Sequence, residues 1–399
     1  MNFFEELLSR NVSEIYPNKQ AFARKLNSNA KLRIYLGIDP SSPKIHLGNA
    51  IALRKLAEFQ NLVHKIILLI GDFTGMIGDP TDKEATRKPL TREQVLENSK
   101  TYQKQAEKIL NFSGKNPAEI AYNSHWLSKL NFEEVVRLCS NFTLQQLLER
   151  AMFQERLKTN KPISVHEFLY PIMQGYDSVA LNVDLEVGGT DQTFNMLVGR
   201  HLQQKLNNKD KFVLTIPLLE GTDGRKMSKS FNNSVDLDDP AKDMFGKIMS
   251  LRDSLIWKYF EMCTDISLEE LGNLRKKSGQ ENPVNLKKQL AFAVTKLYHG
   301  QDKAQEAQAE FESVVQKKQL PKELEEIKIS RTALPKPYLY FLIESNLCQS
   351  HSEAIRLAKQ GGVEFDGKKI SDVREEFETS KDEVVVRAGK RNFIRIKFV

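Results

Sequence analysis

Apolar positions along this chain change their spacing twice. In the first half they fall in short runs: Ile34, Leu36 and Ile38; Lys65 to Ile70; Asn182 to Val187; and Phe212 to Pro217. Such runs, bounded by turn residues, predict strands of a parallel sheet buried on both faces. The first run passes through the proline-broken turn Asp39 to Pro43 into a helix whose apolar positions are Ile51, Leu53, Leu56 and Phe59. Between the second and third runs, Thr91 to Leu169 is mostly helical in pattern and rich in charge, which predicts an insertion. From Asp236 onward the spacing becomes helical throughout. Met244, Ile248, Leu251, Leu255 and Tyr259 make one stripe, and Leu286, Leu290, Val294 and Leu297 make another that stops at Gly300. A charged stretch without period, Gln316 to Pro337, predicts a linker. Beyond it a helix from about Ser352 to Gln360 stops at Gly361-Gly362. A strand at Val363 to Phe365 follows, and Asp366-Gly367 signals a hairpin leading to two more strands.

The predicted fold class is therefore α/β: a Rossmann-like doubly wound parallel sheet with a helical insertion, then an all-α domain and a small α+β domain. The expected boundaries are 1–235 for the sheet domain with its insertion at about 91–169, 236–320 for the helical domain, 321–334 for the linker and 335–399 for the last unit. A chain of 399 residues is long enough for that many cores. No apolar run has membrane-spanning length and Asn2 to Leu8 lacks the features of a signal peptide, so a cytoplasmic protein without membrane contact is expected. Cys139, Cys263 and Cys348 are far apart and the histidines lack ligand spacing, so neither a disulfide framework nor a protein-bound metal site is expected. The net charge of +7 points to an anionic partner.

Charge becomes informative where it clusters. Gly221 to Ser230 follows a sheet strand and sets Lys226 and Lys229 three residues apart, with Ser228 and Ser230 as added donors. It is either a solvated loop or a clamp for polyphosphate at the carboxyl edge of the sheet, where preplaced cations meet charge building on a leaving pyrophosphate. Gly71 to Pro80 is a glycine- and aspartate-rich loop compatible with a plain strand-to-helix turn. Tyr170, Gln174 and Asp177 share one helical face, and apolar neighbours such as Ile172 and Val179 favour a pocket over a solvated surface. In the tail, Arg387, Lys390, Arg391, Arg395 and Lys397 suit either a phosphate backbone or a solvated edge strand.

Two short motifs join these observations. His46-Leu47-Gly48-Asn49 resembles the HIGH motif, and Lys226-Met-Ser-Lys-Ser230 is an unaltered KMSKS motif, of the class I aminoacyl-tRNA synthetases. Tyr35, Gly71 to Pro80, Tyr170-x-x-x-Gln174-x-x-Asp177 and Gly188 to Gln192 resemble the substrate pocket of the bacterial tyrosyl-tRNA synthetases. Ser352 to Gly367 resembles the alpha-L RNA-binding module that ends those enzymes. The resemblance spans nearly the whole chain.

It implies tyrosine–tRNA ligase activity. L-tyrosine and ATP, with Mg2+ on its phosphates, give tyrosyl-adenylate and pyrophosphate, and the tyrosyl group passes to the 3′-terminal adenosine of tRNA(Tyr). It assigns the tyrosine hydroxyl to Tyr35 and Asp177, the ammonium group to Asp79, Tyr170 and Gln174, and further pocket positions to Asn123 and Gln192. Toward ATP it implies Gly37, Asp39, Ser41, His46, Gly48, Asn49, Gly189 and Asp191. His46, Asn49, Lys226, Lys229 and Ser230 would act on the phosphates. RNA-facing roles fall to Arg356, Lys359, Arg387, Lys390 and Arg391. A homodimer is implied, with its interface sought between about Leu127 and Glu167. Asn49 departs from the pattern, since an amide replaces the second histidine of HIGH. Two other readings fit the fold: a tryptophanyl enzyme, which Tyr35 with Asp177 argues against, and a non-catalytic RNA-binding relative, which would have no need of His46, Lys226 and Lys229.

Overall fold

In the computed structural model the short apolar runs become one six-stranded sheet. Its strands are β1 (Glu14–Tyr16), β2 (Arg33–Ile38), β3 (Lys65–Ile70), β4 (Glu119–Tyr122), β5 (Leu185–Gly189) and β6 (Phe212–Ile216), in the order β1-β6-β5-β2-β3-β4. The structure describes residues 3–28, 30–79, 90–227, 231–277, 282–316, 324–331, 334–389 and 392–399.

All neighbours in this sheet are parallel except β1, which runs antiparallel along β6. Five of the six residues of β3 are buried, the signature of a strand covered on both faces. From β2 the chain moves outward to β3 and then β4, whereas β5 and β6 lie on the opposite side of β2. The order therefore reverses between β2 and β5, where the carboxyl ends of an open parallel sheet leave a crevice. Two of these strands were not expected. Glu14-Ile15-Tyr16 and Glu119-Ile120-Ala121-Tyr122 are too short to show a period, and only pairing with β6 and β3 makes them strands. The segment 91–169, predicted as helical, thus supplies one strand of the main sheet.

Three of the longer helices contribute side chains to that crevice, α1 (Leu47–Asn61), α2 (Val165–Leu181) and α3 (Thr193–Asn207), as does the single turn Thr74–Ile77. Helix α1 carries its predicted apolar face into the core, with Ile51, Leu53, Leu56 and Phe59 all buried. Helix α2 opens with a capping box between Ser164 and Glu167 and ends at Asn182, whose φ of 47° is the left-handed stop that asparagine tolerates. It packs closely on α3, and a Cβ on Gly175 would lie 2.7 Å from Val198, which is why glycine stands there. After 236 the chain is helical, in Ala241–Met249, Ile256–Cys263, Leu268–Lys277 and Pro283–His299.

The chain divides into two compact units, 1–298 and 299–399. In the second, strands β7 (Glu325–Ile329), β8 (Lys336–Pro337), β9 (Val363–Phe365), β10 (Lys368–Lys369), β11 (Glu376–Phe377), β12 (Glu383–Ala388) and β13 (Asn392–Phe398) form two sheets. The larger has the order β10-β9-β12-β13-β7, and β8 pairs with β11. Asp366 and Gly367 take positive φ of 46° and 79° between β9 and β10, the mirror-image turn their sequence signalled. Within the stretch read as linker, β7 pairs parallel with β13, the last strand of the chain.

Candidate active site

At the reversal between β2 and β5 lies an open cleft of about 440 Å³. Sixteen positions singled out from sequence line it: Tyr35, Gly37, Asp39, Ser41, His46, Gly48, Asn49, Asp79, Asn123, Tyr170, Gln174, Asp177, Gly189, Asp191, Gln192 and Lys226. They come from the ends of β2 and β5, the start of α1, the face of α2, and the loops after β3 and β6. Lys229 and Ser230 lie outside the described residues.

One end of the cleft is dry. Tyr35 and Asn123 are fully buried and Asp177 nearly so. The Tyr35 hydroxyl is 2.9 Å from Ser178 Oγ, not bonded to Asp177. Asp177 accepts from Trp126 Nε1 at 2.7 Å and from Asn123 Nδ2 at 3.3 Å. Burial holds the Asp177 carboxyl well above its ordinary range, and those two donors oppose the shift. The Tyr35 phenol is likewise pushed up by burial, with the Glu186 carboxylate adding to it.

From there a chain of side-chain amides runs along the cleft wall. Gln174 Nε2 donates to Glu186 Oε1 at 3.2 Å, while Asn195 Nδ2 donates to Gln174 Oε1 at 2.9 Å and to Gln192 Oε1 at 3.0 Å. Gln192 Nε2 then donates to Asp79 Oδ2 at 2.5 Å. A carboxylate at each end fixes which way both glutamines face, since a carboxylate can only accept. Asp79 also meets the buried Arg150 at 3.5 Å.

Asp39 joins the two ends of the cleft. Its Oδ1 accepts from Thr74 Oγ1 at 2.7 Å and its Oδ2 from the Tyr170 hydroxyl at 2.7 Å. A Cβ on Gly71 would fall 1.9 Å from Asp39 Oδ1, so the loop after β3 needs glycine there for Asp39 to stand where it does. At the other end, His46 is the N-cap of α1. Its Nδ1 accepts from the Asn49 backbone at 3.4 Å, and Asn49 Oδ1 accepts from the His46 backbone at the same distance. The substituted motif position is thus half of a capping box that holds His46 over the helix N-terminus, a place suited to anions. Lys226 Nζ approaches Asp191 Oδ2 at 3.5 Å; burial raises the Asp191 carboxyl and the lysine pulls it back.

Residues 27–316 match the family described as tRNA synthetases class I (W and Y). The chain belongs to that family. The tyrosine–tRNA ligase of Thermotoga maritima is 45% identical over 395 residues, covering 98% of this chain and 96% of that protein. The tyrosine–tRNA ligase of Oleidesulfovibrio alaskensis is 46% identical over 382 residues, 95% of each. Among solved structures, a C-terminally truncated mitochondrial tyrosyl-tRNA synthetase of Coccidioides posadasii aligns with TM-score 0.63 at 24% identity, covering 77% of this chain and 91% of that one. The tyrosyl-tRNA synthetase of Archaeoglobus fulgidus, complexed with L-tyrosine, aligns with TM-score 0.59 at 23% identity, over 76% of this chain and 98% of that one. At such identity these two alignments speak to the fold.

For this synthetase, sequence reasoning missed Glu186 on the cleft wall and the groups behind it. Trp126, Ser178, Glu186, Asn195 and Lys211 each bond to a predicted residue or to its partner. Ser178 was findable, because it follows Gln174 by one helical turn on the same face. Lys211, next to an apolar strand, reads as surface in sequence yet is fully buried. In the second unit, Arg356 and Lys359 are exposed on the helix His351–Lys359. Arg387, in contrast, is paired with Glu364 at 2.7 Å, and Lys397 with Glu326 at 2.7 Å. The basic tail therefore meets acidic partners from β9 and β7, which the tail's own sequence does not contain. Lys390 and Arg391 lie outside the described residues.

Proposed function

We propose that the cleft binds L-tyrosine at its dry end and ATP at the α1 end, and that it joins them as tyrosyl-adenylate before esterifying tRNA(Tyr). The observation that carries this is the pairing of a buried Tyr35 and Asp177 with His46, Asp191 and Lys226 in one cleft. Asp177 is placed to accept from the substrate phenol and Tyr35 to donate to it, so phenylalanine would leave both without a partner. Asp79, Tyr170 and Gln174, with Gln192 and Asn123 beside them, hold the ammonium end.

ATP enters as its magnesium complex, against Gly37, Asp39, Ser41 and Gly48, with its ribose toward Gly189 and Asp191. One tyrosine carboxylate oxygen attacks the α-phosphorus, the bond to the bridging oxygen breaks, and pyrophosphate leaves with that electron pair. No general base is needed, because the carboxylate is already ionised at neutral pH. His46 at the helix N-terminus, Lys226, Lys229 and Ser230 act on charge that builds on the leaving phosphates. In the second step a hydroxyl of the terminal adenosine attacks the activated carbonyl and AMP departs.

The helical segment 236–320 and the unit 335–399, with Arg356, Lys359, Arg387, Lys390 and Arg391, are proposed to hold the tRNA. Exposed Phe132, Val136 and Leu144 support pairing with a second copy through the insertion. A cytoplasmic location is proposed, and no helix among the described residues is long and apolar enough to cross a membrane. Amino-acid-dependent exchange of pyrophosphate into ATP tests the activity with tyrosine, phenylalanine and tryptophan. Tyrosine alone should support it; exchange driven by tryptophan, or by none of the three, would refute the assignment. Deleting residues 324–399, which removes β7 with its sheet, should spare this exchange and abolish charging of tRNA.

A further inference from the structure

Behind the dry end of the cleft sits an ion pair sealed from solvent. Lys211 and Glu186 are 0% and 2% exposed. Lys211 Nζ bonds to Glu186 Oε2 and donates to Ser178 Oγ at 2.8 Å. The same Ser178 Oγ is 2.9 Å from the Tyr35 hydroxyl, and the ammonium stands 5.8 Å from the Tyr35 ring centre. Room for this arrangement comes from Gly199 on α3, where a Cβ would lie 2.6 Å from Ser178 Oγ and 2.7 Å from Lys211 Nζ.

Two buried charges cost desolvation that apolar residues would avoid, so packing gives no reason to keep them. Hydrogen-bond direction does. An ammonium only donates, so Ser178 Oγ is an acceptor toward Lys211 and its own hydrogen must go elsewhere. Two acceptors lie within reach: the Tyr35 oxygen at 2.9 Å and Glu186 Oε2 at 3.4 Å. The second is long for a hydroxyl bond. The serine hydrogen therefore falls to Tyr35. Glu186 is also the rival acceptor for the Tyr35 hydrogen. Its two oxygens already accept from Lys211 and from Gln174 Nε2, so any hold on the Tyr35 hydrogen is shared with those two donors. A ligand oxygen in the cleft, which Tyr35 lines beside Asp177, offers the Tyr35 hydrogen an acceptor not shared with those donors.

We propose that Lys211, acting through Ser178, is a positioning residue that fixes the Tyr35 hydroxyl as a donor into the cleft. With Asp177 as acceptor, the site then reads a group that both accepts and donates, as a phenol does. The proposal rests on the tyrosine-activating function above and traces part of its selectivity to residues that never touch the substrate.

The test uses the full-length enzyme, Ser178→Ala, and the double variant Lys211→Met/Glu186→Gln, which removes both charges so that neither is left unpaired. Alanine suits the interior of α2, so the first variant keeps the fold even where the second does not. Pyrophosphate exchange gives kcat/KM for tyrosine and for phenylalanine, and thermal unfolding is followed alongside. Loss of one oriented hydrogen bond should lower kcat/KM for tyrosine about tenfold while phenylalanine stays at the parent value. A purely structural role would lower both substrates together and leave their ratio unchanged. A parent-like ratio in folded Ser178→Ala overturns the proposal while tyrosine-dependent exchange by the parent leaves the function standing. No tyrosine-dependent exchange by the parent overturns the function, and the proposal with it.

Discussion

Replacing Asp177 by asparagine changes one atom of the cleft and isolates the group proposed to accept from the substrate hydroxyl. The carboxylate is 2% exposed and already accepts from Trp126 at 2.7 Å and Asn123 at 3.3 Å. Its remaining lone pairs have room for a phenol, and a hydrogen bond to a charged acceptor contributes about 1.5–3 kcal/mol. With tenfold for each 1.4 kcal/mol, kcat/KM for tyrosine should drop by about ten- to 140-fold. Asparagine keeps a carbonyl for Trp126 and gives up the 3.3 Å bond from Asn123 Nδ2, which retains its bond to Thr74 Oγ1. Phenylalanine makes no such bond and should react as with the parent. Pyrophosphate exchange with each amino acid gives both values. An unchanged preference for tyrosine over phenylalanine in a folded variant would refute the assignment of Asp177.

The same substitution has a signature in pH. Because burial holds the Asp177 carboxyl well above its ordinary value of 3.8, its ionisation opposes folding. The parent should lose stability relative to Asp177→Asn as pH rises above about 4, with the difference levelling off once the folded-state carboxyl has ionised. Unfolding midpoints of the two proteins from pH 4 to 8 would show it, and parallel curves would contradict it. Gly71→Ala would drive a Cβ to 1.9 Å from Asp39 Oδ1 and 2.5 Å from Thr74 Oγ1, so Asp39 must leave its place. Overpacking of this kind costs about 1–3 kcal/mol, to be read by denaturant unfolding together with a higher KM for ATP. Lys226→Ala should slow adenylate formation more than it weakens tyrosine binding, measured by single-turnover kinetics and by ligand titration; equal losses would argue against a transition-state role.

How far the primary structure carried these conclusions depended on where each residue's neighbours lie. Tyr35, Asp39, His46 and Gly48 sit on one strand-turn-helix, so the strand and helix that present them were visible in the local period. Tyr170, Gln174 and Asp177 were visible as one helical face for the same reason. The relay behind them was not, because Lys211 and Glu186 meet only when β5 and β6 pair, at 25 residues' separation. A lone lysine before an apolar strand carries no local mark of burial. Asn49 was legible as a departure from its motif, while its capping role needed the helix start in three dimensions. Likewise β7 has no period of its own and becomes a strand only beside β13. The tail looked uniformly basic because its acidic partners, Glu326 and Glu364, arrive from earlier in the chain.

Asp39 is held by a hydroxyl from α2 and a hydroxyl from the loop after β3 at once. Trimming Tyr170 would therefore act beyond the ammonium end at which it is proposed to stand. It would release one of the two hydroxyls that orient Asp39, on the side proposed for the nucleotide. On the proposed assignment, changes at the amino-acid end are not separable from nucleotide affinity, and a library that varies Tyr170 should vary Asp39 and Thr74 with it, selecting at limiting ATP.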